Sequence, residues 1–196
     1  MTSLDEGALA VLERLEREDA DERERGVPAA DRARQVARTT GQFLHALAAP
    51  HREAAVLEIG GSRGYSTIWL AAGARIGGGH VVSLEHDPRK LEARHRNLEE
   101  AGLAEVVELV DADAFTAIPE LEGPFDLCFL DAEKDDYEQL FELARAKLRR
   151  GSVVVADNVL SHEETLGAYS RARQSDPSLV SVTLPLDRGL EVSALR

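Results

Sequence analysis

Cysteine is almost absent from this chain, where Cys128 stands alone among 196 residues. One thiol cannot close an internal disulfide, and a zinc cluster built on several cysteines is excluded as well. Its setting, Phe125-Asp126-Leu127-Cys128-Phe129-Leu130, reads as a buried strand in which the thiol serves as a small hydrophobe. Basic charge is scarce too. With 36 acidic against 23 basic side chains the net charge is −13, which repels a phosphate backbone and an anionic membrane surface alike. Apolar runs of membrane-spanning length are missing, and the N-terminus shows no apolar signal segment. The expectation is a soluble, cytoplasmic protein with no nucleic-acid and no membrane partner.

Two helical patterns come first. Leu4, Ala8, Val11, Leu12 and Leu15 share one face of a helix predicted over 4–25; the apolar stripe should dock and the charged remainder stay solvated, and the helix reads as packing or dimer surface. A second pattern uses Ala33, Val36, Ala37, Thr40, Leu44 and Leu47 and ends near Pro50. Gly41 inside it points to a break or a close approach. From Ala54 strands and helices alternate: strands at 56–59, 80–85, 106–110, 125–130 and 152–156, helices at 66–74, 88–101, 137–148 and about 163–173. Near-continuous apolar strands between helices indicate a parallel sheet covered on both faces. The last strands, 179–184 and 190–194, are joined only by Pro185-Leu186-Asp187-Arg188-Gly189, too short for a crossover, so they form an antiparallel hairpin. The fold expected is one doubly wound α/β domain over 51–196 behind an N-terminal helical extension over 1–50.

The first strand runs through Glu58 into Gly60, Gly61, Ser62 and Gly64 before a helix resumes at Ser66. A strand, a glycine turn and a helix start gather unpaired backbone N–H groups, as a cofactor loop does and as an ordinary strand-to-helix turn does. The G-x-G-x-x-G dinucleotide spacing is not met, which counts against a nicotinamide-dependent oxidoreductase. In an open parallel sheet a ligand lies at the carboxyl ends of the strands. Acidic residues fall there repeatedly: Glu58, Glu85 beside His86, Asp113 before Ala114, Asp131, and Asp157 with Asn158. Glu85 is placed either to accept the ribose hydroxyls of an adenosine-type cofactor or to sit at the start of the following helix. Asp113 suits an adenine amino group or an N-cap. Asp131, Asp157 and Asn158 offer only hard oxygens, suited to Mg²⁺ or another divalent cation, although Asp157-Asn158 also reads as a turn. Lys134, one of three lysines, stands three residues past Asp131 and could be a proton acceptor or a plain cation.

Taken together, the run from Val56 to Thr67, Glu85 with Asp87-Pro88, Asp113-Ala114, Asp131-Ala132-Glu133-Lys134 and Asp157-Asn158-Val159-Leu160 resemble the cation-dependent, S-adenosylmethionine-dependent O-methyltransferases of the catechol and caffeoyl-CoA type. The resemblance covers roughly residue 42 to the C-terminus. It implies a Rossmann-like class I methyltransferase fold, whose seven-stranded sheet has its last strand antiparallel. By the same resemblance, Glu58, Gly60, Gly61, Ser62, Gly64, Ser66, Glu85, His86, Asp113, Ala114 and Asp131 form the S-adenosylmethionine site. Asp131, Asp157 and Asn158 are implied as ligands of a divalent cation, and Lys134, with Asp131, as catalytic. A small-molecule hydroxyl acceptor and a homodimer are implied as well. Arg188 departs from the family pattern, in which an aspartate is common at that position, so the acceptor does not carry over. A non-catalytic cofactor-binding module is the alternative, and it would need neither Lys134 nor the three oxygen-bearing side chains.

Overall fold

The structure is a computed structural model and describes residues 4–28, 31–32 and 35–196. Two helices, α1 (Glu6–Glu24) and α2 (Arg38–Ala48), precede the alternating region. That region runs β1 (Ala55–Ile59), α3 (Tyr65–Ile76), β2 (His80–Leu84), α4 (Pro88–Glu100), β3 (Val107–Val110), α5 (Ala114–Ala117), β4 (Phe125–Leu130), α6 (Tyr137–Arg145), β5 (Leu148–Ala156), α7 (Glu163–Ser175), β6 (Leu179–Leu184) and β7 (Leu190–Leu195). Seven strands form one sheet in the order β3-β2-β1-β4-β5-β7-β6. The first five are parallel, and β7 lies antiparallel to both β5 and β6. The strand order reverses beside β1, so the carboxyl ends of β1, β2 and β4 surround the crevice where such sheets bind ligands.

Alternation along the strands divides the core. Val56, Leu127, Phe129 and Val155 pack with α1, α2 and α3 on one face. Leu57, Ile59, Leu130 and Val154 pack with Phe141 of α6 and Tyr169 of α7 on the other. Cys128 is fully buried there, and burial pushes its thiol up to about 12, so the inert reading holds.

The helical extension differs from expectation in two ways. α2 begins at Arg38, with Ala37 extended (ψ 157°), so Val36 and Ala37 form a strap in front of the helix, while Ala33 lies outside the described residues. The charged face of α1 docks inside the chain. Arg14 reaches Asn97 (2.8 Å) and Glu100 (2.6 Å) around α4, Glu22 pairs with Arg63 (2.7 Å), and Glu16 accepts from the Tyr65 hydroxyl (2.6 Å). Gly41 does mark a close approach, since a Cβ there would lie 2.3 Å from the Trp69 ring. The boundaries between α6 and β5 also move, and the strand predicted from 152 opens at Leu148. The helix predicted to 148 stops at Arg145, because Leu148 pairs with Phe125 and opens β5.

Candidate active site

Between β1 and α3 the backbone takes positive φ at Gly60 (97°), Ser62 (46°) and Gly64 (91°). The N–H groups of Gly60 and Gly61 both donate to the Leu84 carbonyl, at 3.0 and 2.9 Å. A Cβ on Gly60 would lie 2.1 Å from the Asp131 carbonyl oxygen, and one on Gly61 would lie 2.3 Å from Ser83 Oγ. The glycines therefore let the loop nest against β4 and β2, a packing requirement that spacing alone does not reveal. Glu85 fixes the same loop to the end of β2. Its buried carboxylate accepts from Ser62 N (2.8 Å), His86 N (2.9 Å) and Asp87 N (2.9 Å), while the His86 ring stays exposed. Ser66 stands in the first turn of α3, whose leading N–H groups have no partner within the helix. Asp113, also exposed, caps α5 by accepting from Phe115 N (2.8 Å), with Ala114 next to it as the first residue of α5.

Glu58 is fully buried under the loop, where Thr67 Oγ1 (2.5 Å) and Ser83 Oγ (2.6 Å) donate to its carboxylate. Burial raises its pKa, and its position makes it a support of the loop from beneath. Arg94, fully buried on α4, extends this network by donating to the Ser83 carbonyl (3.1 Å) and to Asp111 (2.5 Å). Sequence reasoning missed Arg94 and Ser83. The signals were a serine inside the apolar β2 run and an arginine one helical turn before buried Leu98.

On the other side of the loop, Asp131 ends β4 and Asp157-Asn158 ends β5. Lys134 Nζ donates to Asp131 Oδ1 (2.9 Å), the Ala132 carbonyl (2.9 Å) and Tyr137 Oη (3.0 Å), so all three of its protons are used. Tyr137 in turn donates to the Asp157 carbonyl (3.0 Å), which ties Lys134 to β5; sequence reasoning missed this tyrosine as well. Asn158 holds a left-handed conformation (φ 68°) that aims its amide at Asp157 Oδ2 and at Asp131 Oδ1 (3.4 Å). Asp157 is buried, and its Oδ1 has no hydrogen-bond partner among the described residues. Burial, and then the charge of Asp131, push its carboxyl up to about 7.

Among the described residues no group of three His, Cys, Asp or Glu side chains is placed to hold a metal ion; the set here is two carboxylates and an amide. Its donors still fit a hard divalent cation, since all can offer oxygen and Asp157 presents a buried oxygen that no protein group satisfies.

A cavity lined by Gly60, Gly61, Ser62, Ser66 and Asp131 joins the glycine loop to this cluster. Residues 57–159, which include the loop, the acidic strand ends and Asn158, match the family described as methyltransferase domain. The chain belongs to that family. Among similar methyltransferases, the catechol O-methyltransferase of Mycobacterium tuberculosis (strain ATCC 25618 / H37Rv) is 44% identical over 126 residues, covering 64% of this chain and 57% of that relative. The catechol O-methyltransferase of Niastella koreensis is 36% identical over 151 residues, covering 75% and 66%. The chain thus spans less than two thirds of the length of these relatives. Among solved structures, cofactor-bound Rv0187 from MTB superposes with a TM-score of 0.82 at 33% identity, covering 98% of this chain and 91% of that one. The O-methyltransferase from Bacillus cereus in complex with SAH gives a TM-score of 0.77 at 26% identity, covering 95% and 91%. The sheet with its antiparallel C-terminal hairpin is the class I methyltransferase fold.

Proposed function

We propose that this methyltransferase moves a methyl group from S-adenosylmethionine to a hydroxyl of a small, catechol-like acceptor with the help of a divalent cation. The observation that carries the reading is the position of Asp131. It lines the cavity beside the glycine loop, and it contacts both Lys134 (2.9 Å) and Asn158 (3.4 Å) in the oxygen-donor cluster. Donor and acceptor sites are therefore neighbours across one side chain. The similarity to proteins named O-methyltransferases supports the same reading.

In this assignment Gly60, Gly61, Ser62, Gly64 and Ser66 hold the methionine part of the donor, and Glu85 and His86 lie at the ribose. Asp113 and Ala114 lie at the adenine, and Glu58 acts through the loop. Transfer breaks the carbon–sulfur bond of the sulfonium and forms a carbon–oxygen bond; the hydroxyl proton passes to solvent water and a neutral thioether remains. The chemistry needs an oxygen aligned behind the methyl carbon, so positioning supplies much of the rate. Asp131, Asp157 and Asn158 would hold Mg²⁺ or a similar cation, which supplies a Lewis acid that favours the ionised acceptor oxygen. Lys134 holds Asp131 in place through its three donated hydrogen bonds and adds positive charge beside the developing oxyanion.

The net charge of −13 and the single cysteine support a cytoplasmic enzyme of small molecules that uses neither nucleic acid nor membrane. The family resemblance supports a homodimer. Among the described residues no helix is long and apolar enough to cross a membrane.

The test is transfer of labelled methyl from S-adenosylmethionine to simple vicinal diols, with Mg²⁺ and with a chelator. Product is expected with Mg²⁺, falling at least about 10-fold on chelation. Equal rates in the two conditions would remove the cation, and cofactor binding without any methylated diol would favour the binding-module alternative.

A further inference from the structure

A cavity of about 290 Å³ opens between α1, the strap in front of α2 and the β6–β7 loop; Val36, Arg38, Tyr65, Asp187 and Arg188 are among the residues that line it. Val36 and Tyr65 also line the cavity at the glycine loop, so the two spaces adjoin. The β6–β7 loop is fixed against the oxygen-donor cluster. The Arg188 carbonyl accepts from Leu160 N (3.0 Å) and Ser161 N (2.9 Å), and the Gly189 carbonyl accepts from Val159 N (3.0 Å). A Cβ on Gly189 would lie 2.4 Å from Leu160 Cγ, so the loop is packed tightly onto the segment just after Asn158. Arg188 is therefore held by its backbone against the segment that follows Asn158, outside the oxygen-donor cluster.

The charges around this cavity are mostly spent. Glu16 is paired with Arg38 (2.9 Å) and accepts from the Tyr65 hydroxyl (2.6 Å), and Asp19 is paired with Arg23 (2.8 Å). Asp187 accepts from Ala37 N (3.1 Å) and so joins the loop to the strap. Arg188 differs from these. Its half-buried side chain lines the cavity, and its guanidinium has no hydrogen bond or ion pair among the described residues, although five N–H groups are available in a planar fork. An unpaired guanidinium on a residue that lines a cavity is matched by a planar anion that accepts two parallel hydrogen bonds, and a carboxylate is such a group.

Building on the methyl-transfer reading above, we infer that the acceptor is a hydroxy acid: a compact vicinal diol that also carries a carboxylate, bound by Arg188 while its hydroxyls face Asp131, Asp157 and Asn158. The cavity that Arg188 lines is of a size for one ring bearing a short acid group, and the smaller space adjoining it is lined by Asp131. Arg188 is a specificity-determining residue in this arrangement, remote from the reacting atoms.

The experiment compares an aromatic vicinal diol acid with its methyl ester, using the full-length protein, S-adenosylmethionine and Mg²⁺. The unmodified protein is expected to favour the acid by about 10-fold or more in kcat/KM, mostly through KM. Arg188→Met should bring that ratio near one, and Arg188→Lys should restore part of it. Titration of the same two compounds into the protein loaded with S-adenosylhomocysteine reads the preference without turnover. A preference for the ester, or a ratio unchanged by Arg188→Met, would overturn the inference, as would a loss confined to cofactor affinity. Tight, Arg188-dependent binding of the acid without methylation would uphold the anion site and overturn the methyl-transfer reading instead.

Discussion

Replacing Asp157 with alanine is expected to lower Mg²⁺-stimulated methyl transfer by about a thousand-fold or more, while the affinity for S-adenosylmethionine changes by less than about 3-fold. The two effects separate because Asp157 lies at the end of β5, whereas the loop contacts run through Leu84, Glu85 and Asp131. Folding should survive the change. Asp157 is buried, its Oδ1 is unsatisfied, and its ionised form is disfavoured by burial and by Asp131, so alanine removes an unfavourable group at the loss of one hydrogen bond from Asn158. Thermal melting of the variant within a few degrees of the parent would confirm that the loss is chemical. Turnover that keeps its response to Mg²⁺ would take Asp157 out of the cation set.

Gly60→Ala should be the most damaging single change in the loop. Its methyl group would lie 2.1 Å from the Asp131 carbonyl oxygen, at a residue with φ 97°. The backbone conformation alone costs a residue with a side chain about 1–2 kcal/mol, and the clash with a strand backbone adds to that. A stability loss of at least about 3 kcal/mol in denaturant unfolding is expected, together with loss of detectable cofactor binding. Gly64→Ala supplies the comparison. Gly64 has nearly the same φ of 91°, yet the nearest atom to a Cβ there is 3.6 Å away, so only the backbone cost of about 1–2 kcal/mol applies. Equal losses at the two positions would show that the contact with β4 does not matter.

What the chain could be read to do depended on the range of each interaction. The alternation of apolar strands and helices, the short β6–β7 connection and the acidic strand ends are local patterns, and the sheet appears as they imply, with Asp131, Asp157 and Asn158 brought together. The insertion of β7 between β5 and β6 is a matter of pairing partner, to which a strand pattern is blind. Glu58 looked like another acidic residue at a strand end; its neighbours Thr67 and Ser83, brought in by α3 and β2, make it an internal support. The charged face of α1 gave no sign of its targets, because Arg63, Tyr65 and Asn97 are far away in sequence. Arg188 stood out only as a departure from a family pattern. Its significance comes from the cavity around it and from the pairing of the neighbouring carboxylates.

The crevice at the ends of β1, β2 and β4 is the proposed seat of S-adenosylmethionine, and isothermal titration of that compound into the purified protein decides whether it binds there. One site per chain is expected, with a Kd on the order of 1–100 µM, and the binding should persist in Asp157→Ala and vanish in Gly60→Ala. No heat of binding at concentrations up to about 1 mM, from protein shown to be folded, would contradict it.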